Sequence, residues 1–302
     1  MSRSSNKKII PIIIVAVVSI GVFALIFNSA PTQDQANEIE QTIVSDKIKE
    51  PIQEIEDVSE PESAITSRLD SNQNPSQLRA AIIDQIHDQI PNYEFQTNAT
   101  RMLEDAGYQV DLYTTKDITV EFYKKLPSMN YNFILIRTHG GEGNPDDEYP
   151  TRLFTGEKYF TEKYTVDQLS GQVGYGFPFY DEDLTNLQES GENIYDNAYF
   201  TIGSKLVKEG MVGTFPNSII IIGGCQSARS HDLMEALIFR GADQVIGWES
   251  TIGVIDNDKA MTLLLEDILV NKVALRDAVA KINKELIQDF EFISLLKLFK
   301  SV

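Results

Sequence analysis

The chain has 302 residues, 42% of them apolar, and a net charge of −19 at neutral pH. The apolar share is ordinary for a globular core, while the acidic balance excludes a nucleic-acid partner held by phosphate neutralisation and repels anionic lipid surfaces. A single cysteine rules out an internal disulfide, so cysteine usage does not identify the compartment.

Residues 1–8 include Arg3, Lys7 and Lys8, and the nineteen residues 9–27 carry no charge. That span exceeds the ~7–15-residue apolar core of a secretory signal and is long enough to cross a bilayer as a helix. The basic flank predicts an uncleaved signal anchor, with residues 1–8 in the cytoplasm and everything after residue 27 outside. Cleavage is the alternative, although Asn28-Ser29-Ala30 matches a small-x-small site poorly. Residues 28–78 are rich in Gln, Glu, Asp, Ser and Pro and contain no aromatic residue, so they read as an acidic, flexible stalk. Ile39, Ile43, Ile48, Ile52 and Ile55 recur at near-helical intervals there, but Pro51 interrupts them.

The folded domain is expected over 79–302. Residues 80–84 read as a first strand or as the first turn of a helix through Ile90. A helix follows over 92–107, where Phe95, Ala99, Met102 and Leu103 share a face and Gly107 stands at the C-terminus. Residues 109–113 alternate as a strand does, 119–126 read as a helix, and an apolar strand then runs to His139. This β-α-β-α-β order predicts an α/β fold with a mainly parallel central sheet flanked by helices.

Between 142 and 217 glycines and aromatics replace the periodicity, predicting hairpins and loops over a cleft, with a short helix at 200–208. The remaining elements are a buried strand at 218–225, a helix at 231–240 ended by Gly241, and a strand at 244–248. A helix at 256–269 capped by Asp256 and another at 274–286 follow. The final stripe of Leu295, Leu296, Leu298 and Phe299 closes the core or forms a homodimer contact.

Two stretches share one grammar. In Ser218-Ile-Ile-Ile-Ile-Gly-Gly-Cys225 and in Tyr131-Asn-Phe-Ile-Leu-Ile-Arg-Thr-His139-Gly-Gly, an apolar strand runs into a reactive side chain beside glycines. A lone cysteine is by itself a small core hydrophobe. If the two strands are parallel neighbours about 4.8 Å apart, however, the imidazole and the thiol meet at the carboxyl edge of the sheet, where α/β proteins place their ligands. His139 would then act as general base and acid and Cys225 as nucleophile. The backbone N–H groups of Gly140 and Cys225 would serve as oxyanion donors. A helix soon after Cys225 predicts a lowered thiol pKa through its N-terminal dipole.

The paired motifs, an apolar run into His139-Gly140 and another into Gly224-Cys225, resemble those of the caspase-like cysteine peptidases, which include caspases, gingipains, clostripain, legumain and separase. The strand Gly241-Ala-Asp-Gln-Val-Ile-Gly-Trp248 is similar to the one after the nucleophile in gingipain-like and CHAT-type members. The likeness spans about residues 79 to 290. It implies a three-layer caspase-like sandwich and peptide-bond hydrolysis through His139 and Cys225. It also implies a substrate pocket lined by the segment after Ile246, with Trp248 and Glu249 its candidate residues. Gly223-Gly224 stand where caspases have Gln-Ala, and the histidine lies more than the caspase spacing of about 50 residues upstream, so the likeness is to the wider family.

Five other readings compete. A nucleophile elbow at 223–227 needs a histidine well downstream, and only His231, six residues after Cys225, follows; it reads as a surface or capping residue. His87 stands outside any motif and reads as exposed. Three histidines and one cysteine cannot make a structural zinc site. The acidic loop of Glu142, Asp146, Asp147 and Glu148 suits solvent, calcium being the alternative known from some gingipain-like enzymes. Gly140–Gly143 lacks the rest of a phosphate loop. Beyond enzymes, a caspase-like binding or scaffold module at the cell surface without turnover fits the same layout.

Overall fold

The computed structural model describes residues 78–142, 151–178 and 194–301. The expected membrane span 9–27, the stalk up to residue 77 and Asp146, Asp147 and Glu148 lie outside the described residues. Among the described residues no helix is long and apolar enough to cross a membrane.

In chain order the elements are β1 (Arg79–Asp84), α1 (Tyr93–Asp105), β2 (Gln109–Thr114), α2 (Val120–Lys125), β3 (Phe133–Arg137), β4 (Gly140–Glu142), β5 (Thr151–Lys158), α3 (Thr165–Leu169), β6 (Val173–Gly176) and β7 (Tyr199–Gly203). They continue with β8 (Ile219–Gly223), α4 (Asp232–Phe239), β9 (Gln244–Trp248), α5 (Val254–Leu265), α6 (Leu275–Glu285) and β10 (Leu296–Lys300). The main sheet has the order β10-β9-β8-β3-β1-β2, and a second sheet has the order β4-β5-β7-β6. All pairings in the main sheet are parallel except that of β10 with β9.

Alternation along the central strands sorts the core into two layers. Ala81, Ile83, Ile134, Ile136, Ile220, Ile222 and Val245 pack with Val120 and Tyr123 of α2 and with Leu233, Met234 and Leu237 of α4. Ala80, Ile82, Phe133, Leu135, Ile221 and Ile246 pack on the other side with Phe95, Ala99 and Leu103 of α1, Met261 and Leu264 of α5 and Ile282 of α6. Helices therefore cover both faces, which is why the strands read as unbroken apolar runs. The helices begin where short polar side chains satisfy their first N–H groups: Asn92 Oδ1 accepts from Phe95 N at 3.0 Å, and Thr119 Oγ1 from Phe122 N at 3.1 Å.

Several expectations are corrected. Of the two readings for 80–84 the strand holds, whereas the helix expected at 200–208 begins as a strand, because Phe200 and Ile202 bury into the core while Thr201 alternates between them. The region after 142 is not only loops over a cleft, since Leu153, Val173, Phe200 and Ile202 of the second sheet belong to the α2/α4 core layer. The α5 helix starts ahead of Asp256, with Gly253 at its N-cap and no side-chain cap. The Asp256 carboxylate instead accepts from the Glu291 N–H at 2.9 Å. The last apolar stripe closes the core as expected, with Leu296 in the α1/α5 layer, and does so as an edge strand of the main sheet.

One polar cluster lies inside the α1/α5 layer. Arg137, at the end of β3, donates from Nε and Nη2 to the Asp258 carboxylate at 2.7 and 2.9 Å, and from Nη1 to Asp84 Oδ1 at 2.9 Å. Gln96 donates to the remaining oxygen of Asp84 at 2.6 Å, and Asn92 donates to Asp258 Oδ2 at 2.8 Å. All three ionised residues are at most 6% exposed, so the network fastens β1, β3, α1 and α5 together where solvent cannot substitute. Truncation would strand two buried carboxylates. Arg137→Leu is expected to lower unfolding free energy by about 3–5 kcal/mol in urea titrations, whereas a loss below about 1 kcal/mol would mean that the network is dispensable.

Candidate active site

Parallel pairing of β3 with β8 sets Arg137 opposite Gly223, and the Thr138 N–H continues the ladder by donating to Gly223 O at 3.1 Å. Two residues further along this register His139 stands beside Cys225. The main chains touch there: a Cβ built on Gly140 would lie 2.6 Å from the Cys225 carbonyl oxygen and 3.5 Å from its nitrogen. Only glycine permits that approach. Gly223 answers to a second constraint, because a Cβ there would lie 2.7 Å from Asn257 Oδ1 on α5.

His139 is where the chain leaves the parallel sheet and enters the antiparallel one. Its carbonyl accepts from the Phe154 N–H at 3.1 Å. Positions 139 and 154 are therefore hydrogen-bonded partners, and the next residue, Gly140 opposite Leu153, turns its N–H away from β5. Gln85, fully buried just after β1, holds the junction. Its Oε1 accepts from the His139 N–H at 3.0 Å and the Thr138 hydroxyl at 3.2 Å, and its Nε2 donates to Thr155 O at 3.2 Å. The imidazole Nε2 lies 2.7 Å from Gln89 Oε1. Gln85, Gln89 and Arg137 escaped the sequence reading, since glutamines in a turn carry no motif; Arg137, a charge at the end of an apolar run, was the one visible signal.

Cys225 is half-buried, and its sulfur contacts the Ile252 backbone, donating to the carbonyl at 3.4 Å and accepting from the N–H at 3.5 Å. Among the described residues the thiol's hydrogen bonds run to Ile252 rather than to the imidazole. Burial pushes the thiol above its ordinary 9.0, against the pull of the Ile252 N–H and of its own peptide N–H. Burial, reinforced by the charge of Arg137, lowers His139 to about 4. Both groups are thus neutral at pH 7. The expected lowering of the thiol is overturned for a physical reason: a turn over 225–228, with Gln226 left-handed at φ 55°, follows the cysteine, and α4 starts only at Asp232. Desolvation therefore outweighs any help from a helix dipole.

The proposed pocket residues are placed differently. Trp248 is fully buried, its indole N–H donating to Asn257 Oδ1 at 2.9 Å and its ring set edge-on against Phe290, so its side chain is core and not pocket lining. Its backbone braces the turn after the cysteine, accepting from Ala228 N at 2.9 Å. Glu249 is half-exposed and pairs with Lys297 of β10 at 3.3 Å. It is the next stretch that reaches the site: Ser250 O accepts from Gln226 N at 3.0 Å, and Ile252 holds the sulfur.

His231 occupies the N-cap of α4 without a capping bond and packs its ring on Phe299. His87 is not exposed as expected; it is half-buried, with Nδ1 2.8 Å from Gln96 Nε2. Among the described residues no group of three or more His, Cys, Asp or Glu side chains gathers to hold a metal ion.

No family model and no curated protein matches the chain. Among solved structures it is similar to protein GSU0716 from Geobacter sulfurreducens at 10% identity, over 75% of this chain and 94% of that one, with a TM-score of 0.33. A likeness of that degree assigns neither family nor activity.

The neutral resting pair sets a direction for reactivity. Alkylation of Cys225 by iodoacetamide should be slower than that of a free thiol at pH 7 and should climb through pH 9 and beyond, because the thiol's ionisation lies above 9.0. A rate profile with its midpoint below pH 7 would contradict this environment.

Proposed function

We propose that the chain is a caspase-like cysteine endopeptidase, anchored by residues 9–27 with its folded domain outside the cytoplasm. Cys225 would attack the scissile carbonyl and form an acyl-enzyme thioester. His139 would take the thiol proton, pass it to the departing amine and later activate water. The Gly140 and Cys225 N–H groups would receive the oxyanion. One observation supports the reading: the Gly140 main chain lies against that of Cys225, so that residues 139 and 225 fall side by side just past the carboxyl edge of a parallel sheet. The net charge of −19 favours basic peptides as substrates. The proposal needs no cofactor, calcium at the acidic loop after His139 being the alternative, and homodimerisation stays open to test.

A second reading, a caspase-like binding or scaffold module without turnover, draws on a different observation. The thiol is neutral and is held by Ile252, and the imidazole by Gln89. Incubating the full-length protein with a peptide library, with and without calcium, separates the two. The peptidase reading expects hydrolysis that Cys225→Ala and His139→Ala each reduce by at least ~100-fold with unchanged circular dichroism. No hydrolysis under either condition favours the scaffold, and near-normal turnover by His139→Ala would remove the dyad. Protease added to intact cells should digest residues 79–302 without lysis; protection until the membrane is broken would overturn the placement.

A further inference from the structure

The turn at 85–90 between β1 and α1 touches the end of β3 at three points. Gln85 Oε1 accepts from the His139 N–H at 3.0 Å, and Gln89 Oε1 meets His139 Nε2 at 2.7 Å. Arg137 Nη1 donates to the Ile90 carbonyl at 3.0 Å. The turn is also closed internally, with the N–H groups of Gln89 and Ile90 both donating to Ile86 O, at 3.1 and 2.8 Å. Gln89 itself is exposed, but both neighbours are held: the Asp88 N–H donates to Thr115 Oγ1 at 3.1 Å, and the Ile90 carbonyl accepts from the buried Arg137 guanidinium. Its amide is therefore presented to the imidazole from a fixed backbone.

We propose that Gln89 is a positioning residue for His139, selecting the tautomer that carries its proton on Nε2 and leaves the Nδ1 lone pair available as the base. With the Gln89 amide set so that its oxygen faces the ring at 2.7 Å, that oxygen accepts, and the nitrogen opposite it carries the proton. In a neutral imidazole the other nitrogen is then the acceptor. The selection acts on a neutral ring, which is the state His139 holds over most of the pH range. The proton on Nε2 stays with its nitrogen throughout; the proton that moves in the reaction passes from the Cys225 sulfur to Nδ1 and from there to the leaving amine. This inference rests on the peptidase reading for its chemistry, but the tautomer itself does not.

The test reads the ring nitrogens directly. In the full-length protein labelled with nitrogen-15 on histidine, with His87→Gln and His231→Gln used to assign the signals, His139 should show one protonated Nε2 and one unprotonated Nδ1 at pH 7. Gln89→Ala should give averaged shifts of a tautomer mixture, while Gln89→Glu, which keeps an acceptor in place, should restore the single tautomer. Where peptide hydrolysis is measurable, Gln89→Ala should lower kcat about fivefold, the loss of one hydrogen bond, with KM little changed. A His139 ring protonated on Nδ1 in the parent protein, or a tautomer unmoved by Gln89→Ala, would overturn the assignment. A tautomer that follows Gln89 in a protein that hydrolyses nothing would sustain the positioning role and bring down the peptidase reading instead.

Discussion

Parallel pairing of β3 with β8 is the constraint on which the candidate site depends. A parallel ladder fixes which residues stand side by side, and a slip of one residue would send every side chain of the strand to the opposite face. Here Arg137 opposes Gly223, and the chains remain in contact beyond the formal strands, until Gly140 packs on the Cys225 main chain. Two glycines are explained by that convergence: Gly140 admits the Cys225 carbonyl, and Gly224 lies against Thr138, to which a Cβ would come within 3.0 Å.

The same register puts a guanidinium two residues before the imidazole. Arg137 satisfies two buried carboxylates and so anchors the strand, and its charge also helps burial keep His139 neutral. With burial raising the thiol and lowering the imidazole, both groups rest neutral, and moving the proton between them before a substrate arrives is unfavourable. A preformed thiolate–imidazolium pair is therefore not the resting state. On the proposed reading, proton transfer accompanies attack on the carbonyl, and the Ile252 backbone gives up the sulfur as the peptide enters.

Much of this was legible in the sequence where local chemistry decided it. The isoleucine run of β8, the helix spans opening at Asn92 and Thr119, and the strand-end positions of His139 and Cys225 follow from period, burial and turn residues. What escaped depends on partners distant in the chain. The strand at 200–203 read as helix because nothing local reveals that Phe200 and Ile202 face a core layer shared with Val120, Ile136 and Leu153. Trp248 looked like pocket lining only through the resemblance of its strand to gingipain-like members, yet Asn257 draws its indole inward. Gln85 and Gln89 were silent, since an amide becomes meaningful only when folding brings a histidine to it. The thiol's environment was misjudged because the sequence shows a helix nearby but not the turn that intervenes.

Disulfide trapping tests the β3–β8 register most directly. Replacing His139 with cysteine places a second thiol beside Cys225, and residues facing each other across strands about 4.8 Å apart fall within the ~4.4–6.8 Å Cα separation that a disulfide spans. Mild oxidation of the His139→Cys protein should close an intramolecular bond to Cys225, seen as loss of both thiols and a non-reducing mass lower by two hydrogens. Two thiols that both remain titratable, or that join only between molecules, would contradict the pairing and with it the candidate site.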